Sequence, residues 1–319
     1  MGSDFILPPL QIKEKTIPIP IVQGGMGVGV SLSPLAGAVA REGGLGIISS
    51  AAIDRIVSKR KGKTVTTYEA MYDEVTLAKE YGGFSGINVM VALFQTYEDT
   101  VRAAIDAGAD VIISGAGLPM SLPAIQNPKN TALVPIVSSA RALELICRKW
   151  ERAHYRPDAV VLEGPLAGGH LGFRSEELGL ESNKLENLLP PVKDVAIRNG
   201  DFPVIVAGGI YSHDDIVQFL KLGADGVQMG TRFLVTEESS ATAAYKAAVV
   251  RAAREDILVA TNPGSPCGLP FMVLRESPMF DQSLKGMRNP RCDKGYVLTK
   301  DKEGKFNQCA AKTGDGRSF

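Results

Sequence analysis

Eight times along this chain a short, continuous run of buried-type residues ends in a small-residue turn and gives way to a longer segment. The runs are "IPIVQGG" (19–25), "LGIISSA" (45–51), "GINVMVA" (86–92), "DVIISGAG" (110–117), "LVPIVSS" (133–139), "DAVVLEG" (158–164), "PVIVAGG" (203–209) and "GVQMGT" (226–231). Their Val and Ile residues are mostly consecutive rather than alternating with polar ones, the pattern of parallel strands covered on both faces. Segments with helical spacing follow the first, third, fifth and seventh runs: "LSPLAGAVAREGG", "TYEDTVRAAIDAGA", "SARALELICRKWER" and "SHDDIVQFLKLGA". In the last, the Ser212 hydroxyl can cap free amides, Asp214 and Asp215 suit the positive helix end, and Ile216, Val217, Phe219, Leu220 and Leu222 form an apolar stripe. Eight such units in roughly 250 residues predict an α/β fold, a (β/α)8 TIM barrel. The competing architecture, an open doubly wound sheet, needs GxGxxG directly after its first strand. Here "QGGMGVGVS" supplies Gly27 and Gly29 but has Ser31 and Leu32 where the third glycine would fall.

The barrel is expected over residues 17–256, after an N-terminal segment (1–16) and before a glycine-, proline- and cysteine-containing stretch (257–319). That stretch is too short for a second domain and reads as a cap or flap over the barrel mouth, or as a wrap against the outer helices. Its approach, "SSATAAYKAAVVRAARED" (239–256), reads as one helix. The segment 54–75 looks like an insertion between the second and third strands. Its basic half (Arg55, Lys59, Arg60, Lys61, Lys63) is expected to be a solvated loop, with contact to a phosphorylated ligand as the alternative. The closing "KTGDGRSF" ends on no helix or strand pattern, and the natural chain is open to running past Phe319.

With 35 basic and 35 acidic residues, nothing draws the chain electrostatically toward nucleic acid or an anionic membrane. No apolar run approaches the roughly 18 residues of a membrane span, and no signal-peptide pattern opens the chain, so a cytoplasmic location is expected. Cys147, Cys267, Cys292 and Cys309 form no CxxC pair, which points to reduced thiols; a metal or iron-sulfur site in the tail is the weaker alternative. No HExxH, P-loop or GxSxG pattern occurs.

Chemistry is expected at the carboxyl ends of the strands, where barrel enzymes build their sites. After the seventh and eighth strands, "VAGGIYSHDD" and "QMGTRF" place Gly208, Gly209, Gly230 and Thr231 where barrels commonly hold a phosphate. The plainer reading of such glycines is a tight strand-to-helix turn. Gly24 and Gly25 would let backbone approach a flat ring against which Met26 could pack, although methionine more often fills a core. Asn88, Ser138, Glu163 and Gln228 are polar groups at or near apolar strand ends, so burial would leave them needing partners that a ligand can supply. Of the three histidines, His154 and His213 read as surface or capping residues. His170 lies in "EGPLAGGHLGF", where Gly168, Gly169 and Gly172 admit a ligand close to backbone and imidazole, and a histidine exchanges protons near neutrality. The alternative is a hydrogen-bonded loop histidine.

Taken in order, "PIVQGGMG…LAGAVAREGGLGIIS", "GINVMV", "VIISGAGLP", "EGPLAGGHLG", "PVIVAGGI" and "GADGVQMGTRFLVTEES" resemble the nitronate monooxygenase (2-nitropropane dioxygenase) family of FMN-dependent barrels, which includes enoyl-acyl carrier protein reductase II and NADH:quinone reductases. The resemblance implies FMN as cofactor and an oxidoreductase acting on a small molecule. It places Gly24, Gly25 and Met26 beside the flavin ring, and Asn88, Ser138 and Glu163 on ring or ribityl atoms. Gly168 and Gly169 would leave room for the flavin, and the turns containing Ala207, Gly208, Gly209, Gln228, Met229, Gly230 and Thr231 would bind the cofactor, chiefly its phosphate. His170 matches the family histidine of the "GGH" loop and would be the catalytic residue. The first activity implied is oxidation of alkyl nitronates with O2. The alternatives are NAD(P)H-dependent reduction of an enoyl thioester or quinone, and a barrel that merely binds a phosphorylated metabolite. Several nitronate-type members carry lysine near the end of the fifth strand, where "VSSAR" puts Ser138, nearer the enoyl reductase pattern. A homodimer is compatible with this reading.

Overall fold

A computed structural model describes residues 5–261, 270–285, 298–300 and 306–309. An N-terminal hairpin, β1 (Leu10–Ile12) and β2 (Lys15–Ile17), leads into β3 (Ile21–Gln23), α1 (Ser33–Arg41), β4 (Leu45–Ser49), α2 (Ile53–Lys61), α3 (Thr67–Lys79), β5 (Phe84–Met90), α4 (Phe94–Asp106) and β6 (Val111–Gly115). The chain continues through α5 (Leu122–Ile125), β7 (Ala132–Val137), α6 (Ala140–Glu151), β8 (Val160–Glu163), the two-residue β9 (Gly169–His170) and α7 (Leu185–Arg198). It goes on through β10 (Val204–Ala207), α8 (His213–Lys221), β11 (Gly226–Met229), α9 (Thr231–Leu234), α10 (Ala243–Arg251), β12 (Ile257–Ala260), β13 (Phe271–Leu274), α11 (Pro278–Leu284), β14 (Leu298–Lys300) and β15 (Phe306–Cys309). Strands β3, β4, β5, β6, β7, β8, β10 and β11 close into a parallel barrel, so each of the eight expected strands is present; seven are shorter than their sequence runs by one to four residues, and β5 keeps its length but begins two residues earlier. Among the described residues no helix is long and apolar enough to cross a membrane.

Two apolar layers hold the barrel. Inside it, Val22, Ile47, Val134, Val161 and Ile205 pack with Leu10, Ile12 and Ile17, so the N-terminal hairpin is continuous with the barrel interior. Outside it, the helices bury their apolar faces on the strands. In α6, Leu143, Ile146, Cys147 and Trp150 recur at helical spacing and are all buried. Each large side chain withdrawn from water in this way contributes about 1.5–3 kcal/mol.

A repeated staple fixes the amino-terminal end. Asp110, Asp158 and Asp225 stand just before β6, β8 and β11, and each carboxylate accepts a hydrogen bond from the backbone of the preceding barrel strand or its edge: Ser85 N–H at 3.0 Å, Leu133 N–H at 2.8 Å and Val204 N–H at 2.7 Å. The aspartate amides return the bond to the carbonyls of the same three residues. Conserving this pairing across alternate strand gaps registers neighbouring strands without using any group at the opposite end.

Several expectations need correction. Residues 54–63 are not a solvated loop: α2 and α3 form a helical pair, with Thr66 and Glu69 making a capping box and the wholly buried Glu74 bridging Arg60 and the Ser33 amide. Lys61 pairs with Asp73, so these two cations are engaged by α3 rather than by a ligand. The helix read over 239–256 is only Ala243–Arg251. In α8, Ser212 and Asp215 form the expected cap, but Leu222 lies past the helix and is half exposed.

Candidate active site

Alternation along each strand decides which side chains enter the barrel. Ile47, Val161 and Ile205 belong to the interior cluster, and two residues further along the same strands stand Ser49, Glu163 and Ala207. The same parity, counted from Phe84, Val134 and Gly226, brings Asn88, Ser138 and Gln228 to the interior side at the carboxyl end. The polar candidates therefore share one layer above the apolar core.

The loops beyond this layer converge. A Cβ added at Gly24 would lie 3.3 Å from Gln228 Cγ, one at Gly25 would lie 2.4 Å from Asn88 Cβ, and one at Gly230 would lie 3.5 Å from Met26 Sδ. Thus the turn after β3 touches the ends of both β5 and β11. Ser138 donates to the Gly172 carbonyl at 3.2 Å, tying the end of β7 to the loop that carries His170. Gly208 and Gly209 have φ of 104° and 77°, which side-chain-bearing residues rarely adopt, and the loop residues Ala167 and Leu166 pack directly over them. Met229, adjacent to Gln228, is buried, Gly168 is exposed with open space around it, and Thr231 begins α9. All the site residues expected from sequence thus lie at one end of the barrel. His154 and His213 are exposed outside this layer.

Two groups here are incompletely satisfied. Gln228 Oε1 and His170 Nε2 are buried without a hydrogen-bond partner, a condition that costs about 1–3 kcal/mol for each group unless something fills it. Burial lowers the His170 pKa, favouring neutral imidazole, and pushes the Glu163 carboxyl up to about 7. A planar, hydrogen-bonding ligand with a phosphate fits this set: Gln228, Asn88 and Glu163 offer polar atoms from the barrel layer, and Gly208, Gly209 and Gly230 have no side chain of their own to stand over their backbone amides. The residues present accordingly fit FMN.

Some contributors were not singled out from sequence. Gln23 is fully buried, donates to the Gly24 carbonyl and Ser31 Oγ, and accepts from Ile47 N–H, fixing the turn after β3. Ser31 in turn accepts from the Met26 amide at 3.0 Å. The period-two count from Ile47 would have found Ser49; nothing in the local pattern marks Ser31. Of the cysteines, Cys147 is a buried free thiol pushed up to about 11, whereas Cys267, Cys292 and the side chain of Cys309 lie outside the described residues. In the tail, β13 pairs with β9 and brings Phe271 opposite His170.

A closed parallel barrel with an unpartnered imidazole and a carboxyl titrating near neutrality at its strand ends is the framework of a barrel enzyme. Residues 9–267 match the nitronate monooxygenase family, and the chain belongs to that family. A nitronate monooxygenase of Pseudomonas aeruginosa is 33% identical, with 84% of this chain and 80% of the relative covered. A (3aS,4S,5R,7aS)-5-hydroxy-7a-methyl-1-oxo-octahydro-1H-indene-4-carboxyl-CoA dehydrogenase of Mycobacterium tuberculosis is 28% identical, covering 92% of this chain and 72% of the relative. Among solved structures, FabK of Thermotoga maritima superposes with a TM-score of 0.64 at 30% identity, covering 83% of this chain and 74% of FabK. Members of the family are flavin-dependent oxidoreductases acting on small molecules, and this protein is an oxidoreductase of that family.

Proposed function

We propose that the protein is an FMN-dependent nitronate monooxygenase that oxidises alkyl nitronates with O2. The observation that carries this reading is the buried, unbonded Nε2 of His170 on a glycine-rich loop at the carboxyl end of the barrel. Burial keeps the imidazole neutral, so Nε2 can take the proton from the carbon beside the nitro group of a neutral nitroalkane, generating the nitronate that is oxidised, and then steady that anion through N–H donation. Ala207, Gly208, Gly209, Gly230 and Thr231 would hold the FMN phosphate, Gly24, Gly25 and Met26 would border its ring, and Asn88, Ser138, Glu163, Gln228 and Met229 would line the remainder. Bound there, FMN supplies the electron-accepting chemistry, and O2 restores its oxidised form.

Ser138 supports a second reading, NAD(P)H-dependent reduction of an enoyl thioester, because it stands near the end of the fifth strand, where several nitronate-type members carry lysine; the Mycobacterium tuberculosis relative is named a carboxyl-CoA dehydrogenase. One experiment separates them: an absorbance spectrum of the purified protein, followed by oxygen uptake with propyl-2-nitronate and anaerobic mixing with NADH or NADPH. A yellow protein that consumes oxygen with the nitronate is expected. Bleaching by NAD(P)H without nitronate turnover moves the assignment to the reductase, and colourless protein that takes up no FMN removes both.

A further inference from the structure

The tail strand β13 lies against the loop on which the proposed chemistry depends. Phe271 stands opposite His170 in antiparallel register, with Met272 opposite Gly169, and the Leu171 amide donates to the Pro270 carbonyl at 2.9 Å. The Phe271 ring meets the imidazole edge to face, with centroids 4.9 Å apart and planes at 79°. On its other edge β13 is held by β12 through four register pairs, and beyond β13 the Arg275 amide donates to the Asp256 carbonyl at 2.7 Å. A two-residue strand such as β9 has no stability of its own, so its conformation is imposed by this two-stranded base.

The glycines that precede His170 put no side chain beside the imidazole. Nothing lies within 4 Å of a Cβ placed on Gly168, and the nearest heavy atom to one on Gly169 is in Phe271, at 3.9 Å. We propose that Phe271 is a positioning residue of the active site: its ring seats the His170 imidazole and shields it from water, leaving Nε2 as the atom available to a ligand. The assignment rests on His170 being the proton acceptor.

The surrounding charges do not supply the same effect. The ionisable groups on the elements packed here are Arg174, Glu176 and Glu177 further along the His170 loop, Glu163 at the end of β8, Arg141 beyond Ser138, and Arg275 past the end of β13, with Asp256 beside it on the β12 side. Burial alone accounts for the lowered pKa of His170. Removing the aromatic wall therefore admits water and raises that pKa toward its ordinary value.

The test uses the flavin-loaded protein and its Phe271→Ala and Phe271→Leu variants. His170 is titrated by NMR through its Cε1–H, and the pH profile of kcat/KM with 2-nitropropane, which still carries the proton to be removed, is recorded in parallel. In Phe271→Ala the midpoint rises by about 0.5–1 pH unit, the acid limb moves upward with it, and kcat falls about tenfold with a smaller change in KM. Phe271→Leu, apolar but without a flat ring, shows a smaller midpoint shift while losing kcat. Hydrogen-exchange protection of the Leu171 amide shows whether β13 remains paired; should the alanine variant lose it, the leucine variant carries the comparison. An unmoved His170 midpoint in a paired variant overturns the proposal, whatever happens to activity. A shifted midpoint in a protein that does not turn over nitronate leaves Phe271 as the seat and removes the substrate reading instead.

Discussion

Gly25 and Asn88 are in such close contact that a Cβ on the glycine would stand 2.4 Å from the Cβ of the asparagine, with Ile47 Cγ2 at 3.2 Å on another side. The end of β3 can cross the end of β5 only because position 25 has no side chain. The proximity places Asn88 within the candidate site and binds two strand ends into one wall.

Gly25→Ala is therefore expected to push Asn88 aside or displace the turn after β3. Overpacking of this kind costs about 1–3 kcal/mol. A urea midpoint lowered accordingly, together with weaker FMN retention on gel filtration, is the expected result; unchanged retention would separate Asn88 from the cofactor.

The Asp225 staple tests the opposite end of the barrel. Its carboxylate serves both Val204 N–H and Lys193, and neither contact lies near the candidate site. Asp225→Ala leaves the backbone donor without its partner, at a cost of about 1–2 kcal/mol. Asp225→Asn, which keeps an acceptor oxygen, is expected to recover most of that loss in urea unfolding, and both variants should retain FMN with wild-type affinity.

How far the molecule could be read from its sequence depends on the range of the interactions. The eight strands were legible because their apolar runs are local signals, and the candidate residues sat at their ends because a parallel barrel directs every strand end to one face. The helix α7 is absent from the sequence expectations, and Pro190 and Pro191 weaken its local signal; both are exposed, while Leu185, Leu188, Leu189, Val192, Val195 and Ala196 bury the opposite face and override the missing amides. The segment 54–63 carries a weak helical signal because its lysines and arginines dominate a composition in which only Ile53, Ile56 and Val57 anchor α2. The pairing of Phe271 with His170 joins residues about a hundred positions apart and left no local trace.

Glu163 offers a test by pH. Its carboxyl is shifted from 4.5 up to about 7 by burial, so in flavin-free protein the folded state keeps a proton that the unfolded chain releases. Stability contributed by that proton is present at low pH and declines as pH rises through this window, by on the order of 2–3 kcal/mol. Glu163→Gln lacks this dependence. Its melting temperature should match wild type near pH 4.5 and exceed it at pH 8; parallel curves would show that the carboxyl ionises normally.

His170→Ala is expected to keep FMN and lose turnover by about 10²- to 10⁴-fold, the usual contribution of a positioned base. Because burial lowers the wild-type pKa below 6.5, the neutral base persists into mildly acidic solution, and the acid limb of kcat/KM should fall below that value. Full turnover by the alanine variant would leave the histidine without a catalytic part.

Gly208 and Gly223 form a matched pair for the phosphate assignment. Their φ angles are 104° and 100°, so alanine at either position carries nearly the same backbone strain, about 1–2 kcal/mol. They differ in surroundings. Nothing lies within 4 Å of a Cβ at Gly223, between α8 and β11, whereas a Cβ at Gly208 would meet Ala167 N at 2.9 Å and the Gly164 carbonyl at 3.2 Å in the loop leading to His170. Gly223→Ala should lower stability and leave FMN affinity unchanged. Gly208→Ala should lower stability further and weaken FMN by at least tenfold, because the added methyl moves the glycine turn and the overlying loop together. Equal FMN affinity in the two variants, measured by fluorescence titration, would show that Gly208 serves the turn and not the phosphate.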